Sequence, residues 1–232
     1  MEQMAVHWLE QDAACLPSAD DWFSFREAEH LSRLRFGKRR ADWRLGRWTA
    51  KRAVSLYLGR AADPRSLAVV EIRPAPSGAP EVFLDGEAAP VSISISHRDG
   101  RAACAIAGPA AALGCDLEIV EPRSRAFATD YFTADEQELL ARPAAAERLQ
   151  LLALLWSAKE SALKALGVGL RIDTRSVAVE LFVGPVWDSS GWRPLRARHE
   201  GQVLHGWWRQ TGGLVRTLAA APAPASPVSY RM

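Results

Sequence analysis

Cysteine is scarce in this 232-residue chain, which has only Cys15, Cys104 and Cys115. An odd count without paired spacing excludes a disulfide framework, and the lack of a CxxC pair gives no zinc signature. Cys104 and Cys115 sit in apolar runs and read as small core residues. Excess charge is lacking too. The 29 basic and 27 acidic side chains leave a net charge of +2, too little to mark a nucleic-acid binder. No apolar run approaches the ~20 residues that span a bilayer, so no membrane segment is expected. Met1 to Met4 lacks a basic stretch followed by an apolar core, so no secretory leader is expected and a cytoplasmic location is. What remains is an ordinary globular composition, 48% hydrophobic and 24% charged. The length suits one large domain or two of about 100 residues each.

The chain repeats itself. Residues 48–59 read WTAKRAVSLYLG and residues 156–167 read WSAKESALKALG. Trp, Ala, Lys, Leu and Gly coincide, and Thr49 faces Ser157. A second match follows at nearly the same offset: DPRSLAVV at 63–70 and DTRSVAVE at 173–180. Each copy reads as a helix, a glycine that can end it, a turn and a β-rich strand. A hairpin signal also recurs, Asp99-Gly100 in one copy and Gly212-Gly213 in the other. The expected fold class is therefore α+β, with two similar halves at 1–110 and 111–220. Residues 221–232, rich in Ala and Pro, are expected to form a flexible tail.

Two acidic motifs stand out. In Leu113 to Ile119, apolar residues alternate with Gly114, Asp116 and Glu118, the period-two pattern of a half-buried strand. Asp116 and Glu118 then share a face, where their repulsion is relieved by a hard divalent cation such as Mg²⁺. The helix around Trp156 carries Glu160 and Lys164 four residues apart, on one face. Taken alone, the strand pair fits a solvated polar face and the helix pair a surface ion pair. The repeat adds a contrast, because Glu160 aligns with Arg52 and Lys164 with Leu56. One copy keeps the helical scaffold but not the acid and base.

Nine basic residues lie between Arg33 and Arg52. Arg40, Arg44, Arg47 and Lys51 fall at helical spacing and can form one stripe able to bind phosphates. A solvated basic helix and a nucleic-acid-binding stripe are the other readings, the last weakened by the near-neutral chain. Residues Val91 to His97 alternate Ile with Ser as a strand that ends on Ser96 and His97. Both can donate to a phosphate.

With these pieces in view, the chain resembles the Sfp-type 4′-phosphopantetheinyl transferases. LGCDLE at 113–118 is similar to the family's G-x-D-x-E strand, and WSAKESALK at 156–164 to its W-S-x-K-E-x-x-x-K helix. Supporting matches are SISH at 94–97, the segment Gly46 to Lys51, and Tyr131-Phe132-Thr133 through Glu136. The resemblance implies a pseudo-dimer of two α+β halves with the active site in the cleft between them. It implies Mg²⁺ held by Asp116, Glu118 and Glu160, with Glu160 also the general base and Lys164 stabilising phosphate charge. It implies coenzyme A phosphates held by Arg40, Arg47, Lys51, Ser96 and His97, and an apo carrier protein docking at Tyr131 and Phe132. A monomer is expected, because duplication supplies internally what a dimer would. One departure is Ala79, where the family often has a lysine. Two outcomes are open there: another basic residue, such as one from the arm at Arg33 to Arg40, compensates, or coenzyme A binds more weakly. The competing expectations are a degenerate binding module without chemistry and a nucleic-acid binder.

Overall fold

The computed structural model describes residues 3–124, 126–182, 187 and 189–230. The chain divides into two compact units, Ala5–Ala111 with Val228–Met232, and Met1–Met4 with Ala112–Pro227.

In the first unit, strand β1 (Val6–Asp12) precedes helices α1 (Phe25–Arg33), α2 (Gly37–Tyr57) and α3 (Pro64–Leu67). Strands β2 (Val70–Pro74), β3 (Pro80–Leu84), β4 (Glu87–Ala88), β5 (Ser92–Arg98) and β6 (Arg101–Ala107) follow. β2, β3 and β4 form a small antiparallel sheet, while β5, β6 and β1 pair antiparallel in a second. The turn at Asp99-Gly100 has φ of +50° and +68°, the pairing that lets a two-residue loop match strand twist. The buried side of α2, with Ala53 and Val54, packs on Leu9, Ile72, Val82, Ile93 and Ile106.

The second unit repeats this order. It runs β7 (Ala112–Ile119), α4 (Phe127–Tyr131), α5 (Ala134–Ala141), α6 (Ala145–Ala165), β8 (Ala178–Leu181), β9 (Ser189–His199), β10 (Gln202–Thr211) and β11 (Leu214–Ala221). The five strands form one sheet in the order β7-β11-β10-β9-β8. Both 21-residue helices, α2 and α6, occupy the same place in their units. β1-β6-β5 corresponds to β7-β11-β10. The core around α6 joins Leu151, Leu154 and Leu155 to Leu195, Trp208 and Val215. Each fully buried leucine contributes about 1.5–3 kcal/mol.

The duplication extends to a buried ion pair in each unit. Ser24 and Glu27 form a reciprocal capping box at α1, and Thr133 and Glu136 form one at α5. The same glutamates accept a backbone N–H from the following strand, Ile72 to Glu27 at 3.2 Å and Val179 to Glu136 at 2.9 Å. Each also accepts a lysine from the long helix. Lys51 pairs with Glu27, and Lys159 with Glu136 at 2.8 Å. Carbonyl oxygens satisfy the remaining protons: Trp22 and Leu67 for Lys51, Thr174 and Val177 for Lys159. Both ammonium groups are fully buried.

Residues 221–230 are not the loose tail that their composition predicts. Met4 exchanges backbone hydrogen bonds with Ala223 and Ala225. Strand β12 (Val228–Ser229) pairs parallel to β1, and the Tyr230 ring stacks on His7. Backbone pairing overrides the Ala/Pro composition here. Cys104 and Cys115 are buried free thiols, whereas Cys15 is exposed. Among the described residues, no helix is long and apolar enough to cross a membrane.

Candidate active site

Gly114 explains how β7 meets α6. A Cβ at this position would lie 1.8 Å from the Ser161 carbonyl oxygen and 2.6 Å from the Ala165 nitrogen. Only glycine permits this approach. Two residues further along, Asp116 comes against the middle of α6. Its Oδ2 accepts from Ser157 Oγ at 2.9 Å and its Oδ1 from Lys164 Nζ at 2.8 Å. Lys164 also donates to the Cys115 carbonyl at 2.9 Å.

Thr217, opposite Asp116 on β11, completes the support. Its hydroxyl donates to the Ser157 carbonyl at 2.8 Å and lies 2.6 Å from Ser161 Oγ. One proton count satisfies the row: Ser161 donates to Thr217, Thr217 to the Ser157 carbonyl, and Ser157 to Asp116. The Asp116 carboxylate is thereby fixed by α6, with β11 bracing Ser157 through Thr217. Ser157 and Thr217 escaped the sequence reading, although Ser157 stood in the repeat opposite Thr49.

Asp116 and Glu118 are each only 6% exposed, so the solvated-edge reading of the strand does not hold. Arg123 pairs with Glu118 and reaches Glu121 at 3.3 Å. Glu160, on α6, is part-buried. Burial and the negative charges of Asp116 and Glu118 push its carboxyl above the ordinary range, against the opposing pull of Lys164. Burial lowers the Lys164 ammonium, but Asp116 and its other partners outweigh this and hold it above its ordinary value.

Asp116, Glu118 and Glu160 are not gathered as the expected ligand trio. Among the described residues, no three acidic, histidine or cysteine side chains are assembled into a metal cage. The physical reason is local: Asp116 has turned to Lys164 and Ser157, and Glu118 to Arg123. The donor set nevertheless fits a hard cation. Asp116 and Glu118 lie close enough to Glu160 for their charges to raise its pKa, so the three make a region of negative potential supplied with oxygen donors.

The basic stripe on α2 is turned inward. Arg40 donates to the carbonyls of Leu31 at 2.7 Å and Leu34 at 3.4 Å, satisfying the end of α1. Arg44 binds Asp20 at 2.7 Å and the Pro17 carbonyl at 3.1 Å. Arg47 stacks over Trp43 and lies 4.0 Å from Glu27. Burial lowers its guanidinium pKa, opposed by Glu27. Lys51 is 0% exposed in the buried pair. Lys51 is therefore structural, which corrects its expected role as a phosphate contact, while Arg40 uses one guanidinium nitrogen to close α1 and stays half-exposed. Ser96 is buried and His97 exposed at the end of β5, both beside α2, where Gly46 faces the His97 ring.

Phe132 is also corrected. It is fully buried against Lys159, so it belongs to the core and cannot meet a docking partner. Tyr131 is 37% exposed and packs edge-on against Trp156 at 5.0 Å.

Residues 112–204, which carry Asp116, Glu118, Glu160 and Lys164, match the 4′-phosphopantetheinyl transferase superfamily. This similarity is to a superfamily of transferases. Among curated proteins, none matches the chain.

Proposed function

We propose that the chain is an Sfp-type 4′-phosphopantetheinyl transferase that moves the phosphopantetheine arm of coenzyme A onto a serine of an apo carrier protein. The observation that carries this reading is the Asp116 carboxylate held between Ser157 and Lys164, within the stretch similar to the superfamily. The two-half subfamily is favoured by the twin Glu–Lys pairs, which extend the repeat across both units. A duplicated order within one chain also favours a monomer.

In the reaction, the serine oxygen bonds to the phosphorus that bears the pantetheine arm. The bond from that phosphorus to 3′,5′-ADP breaks, and the serine proton passes to Glu160 directly or through water. A glutamate whose pKa is raised is better matched to this task than an ordinary one. Asp116, Glu118 and Glu160 supply the carboxylate oxygens that would hold Mg²⁺, whose charge would neutralise the pyrophosphate. Lys164, fixed by a backbone carbonyl, keeps a positive charge facing the departing phosphate. Ser96, His97 and Arg47 are the proposed coenzyme A contacts, and Tyr131 the proposed contact for the carrier. No nucleophile of this chain is needed, because the partner provides the serine.

The test is mass spectrometry of apo carrier proteins from fatty-acid, polyketide and nonribosomal-peptide systems, incubated with the protein, coenzyme A and Mg²⁺. The phosphopantetheine mass is expected on at least one. No gain on any of them contradicts the reading.

A further inference from the structure

Two of the three acidic side chains hold a basic partner of their own, and the two partners differ in how they are fastened. Lys164 stands on α6 and is held by the Cys115 carbonyl as well as by Asp116. Arg123 stands in the segment between β7 and α4, outside regular structure. Its guanidinium is held by Glu118, by Glu121 at 3.3 Å, and by the Phe127 ring with 5.3 Å from Cζ to the ring centre. Glu118 is buried, whereas Arg123 is 24% exposed along its side chain.

Stripping a buried carboxylate of its cation is costly. We propose that Arg123 is the resident cation of Glu118, displaced towards Glu121 and Phe127 when a divalent metal takes the Glu118 oxygen. This rests on the metal site put forward above. The exchange leaves neither group unpaired. Glu118 trades one cation for another, while Arg123 keeps a carboxylate and an aromatic face. Metal affinity is thereby set by competition with a side chain of the protein itself.

Two measurements on the full chain test this. In the first, nitrogen-15 NMR follows the Arg123 side-chain Nε–H while Mg²⁺ is added with coenzyme A present. The resonance is expected to shift as the guanidinium leaves Glu118, and a resonance unmoved at saturation overturns the proposal. In the second, the free Mn²⁺ signal in electron paramagnetic resonance gives the affinity of each variant. Arg123→Ala is expected to bind Mn²⁺ on the order of tenfold more tightly, since one charge-assisted pair no longer competes. Arg123→Lys keeps the charge but not the fork and is expected to fall between Arg123→Ala and the unaltered protein. It serves alone if Arg123→Ala does not fold. Equal or weaker Mn²⁺ binding in the variants sinks the exchange while leaving the metal site standing. Absence of Mn²⁺ binding in every protein sinks both.

Discussion

Lys164 and Asp116 are joined across β7 and α6 by a 2.8 Å hydrogen bond, and the same ammonium holds the Cys115 carbonyl. The lysine thus fixes the strand that presents Asp116 and Glu118. Lys164→Met is expected to lower kcat by about 10²–10³, the usual cost of removing one preorganised electrostatic donor. The helix and sheet content should persist, since Ser157 still holds Asp116. Steady-state kinetics beside circular dichroism checks both.

Glu160 is expected to set the pH dependence of the proposed metal binding. Its carboxyl is raised by burial first and by Asp116 and Glu118 next. A carboxyl of raised pKa takes up its proton at a higher pH than an ordinary glutamate, and only the ionised form accepts a metal. Mg²⁺ affinity is therefore expected to weaken as pH falls from neutral, before ordinary carboxylates titrate. Glu160→Gln should flatten that profile while weakening binding throughout. Calorimetric titration at a series of pH values reads it.

The twin buried pairs carry stability. Lys51→Met strips Glu27 of its bonded ammonium and leaves Arg47 at 4.0 Å, and Lys159→Met strips Glu136 of its ammonium. Each is expected to cost about 3–5 kcal/mol. Removing both partners of one pair should cost less than the single lysine change. Denaturant unfolding measures this. Where Lys51→Met still folds, its KM for coenzyme A should be unchanged, because the ammonium is fully enclosed.

Adjacent aromatics should separate by role. Tyr131→Ala is expected to raise the KM for the carrier with little change in thermal midpoint. Phe132→Ala is expected to cost about 3–5 kcal/mol by opening a cavity in the core. Kinetics with varied carrier, set against melting curves, distinguishes the two.

Much of this was legible in the chain. The alternation around Asp116 and the four-residue spacing of Glu160 and Lys164 gave β7 and the long helix, because both periods are local. Gly114 read as a motif letter, and its cause, the Ser161 carbonyl, lies on another element. The stripe from Arg40 to Lys51 looked like a phosphate surface because spacing cannot show distant acceptors. The Leu31 and Pro17 carbonyls, Asp20 and Glu27 are contributed by earlier segments. A signal for Glu27 and Glu136 was present in the two capping boxes, Ser24 to Glu27 and Thr133 to Glu136. Nothing in the spacing linked Arg123 to Glu118, since the pairing depends on how the loop turns after the strand.

The most direct test of the account is transfer itself, followed by carrier mass with the protein supplied with Mg²⁺, stripped by chelator, or altered at Glu160→Gln. The phosphopantetheine adduct is expected only for the unaltered protein with Mg²⁺. Full modification after stripping, or near-normal turnover by Glu160→Gln, would contradict it.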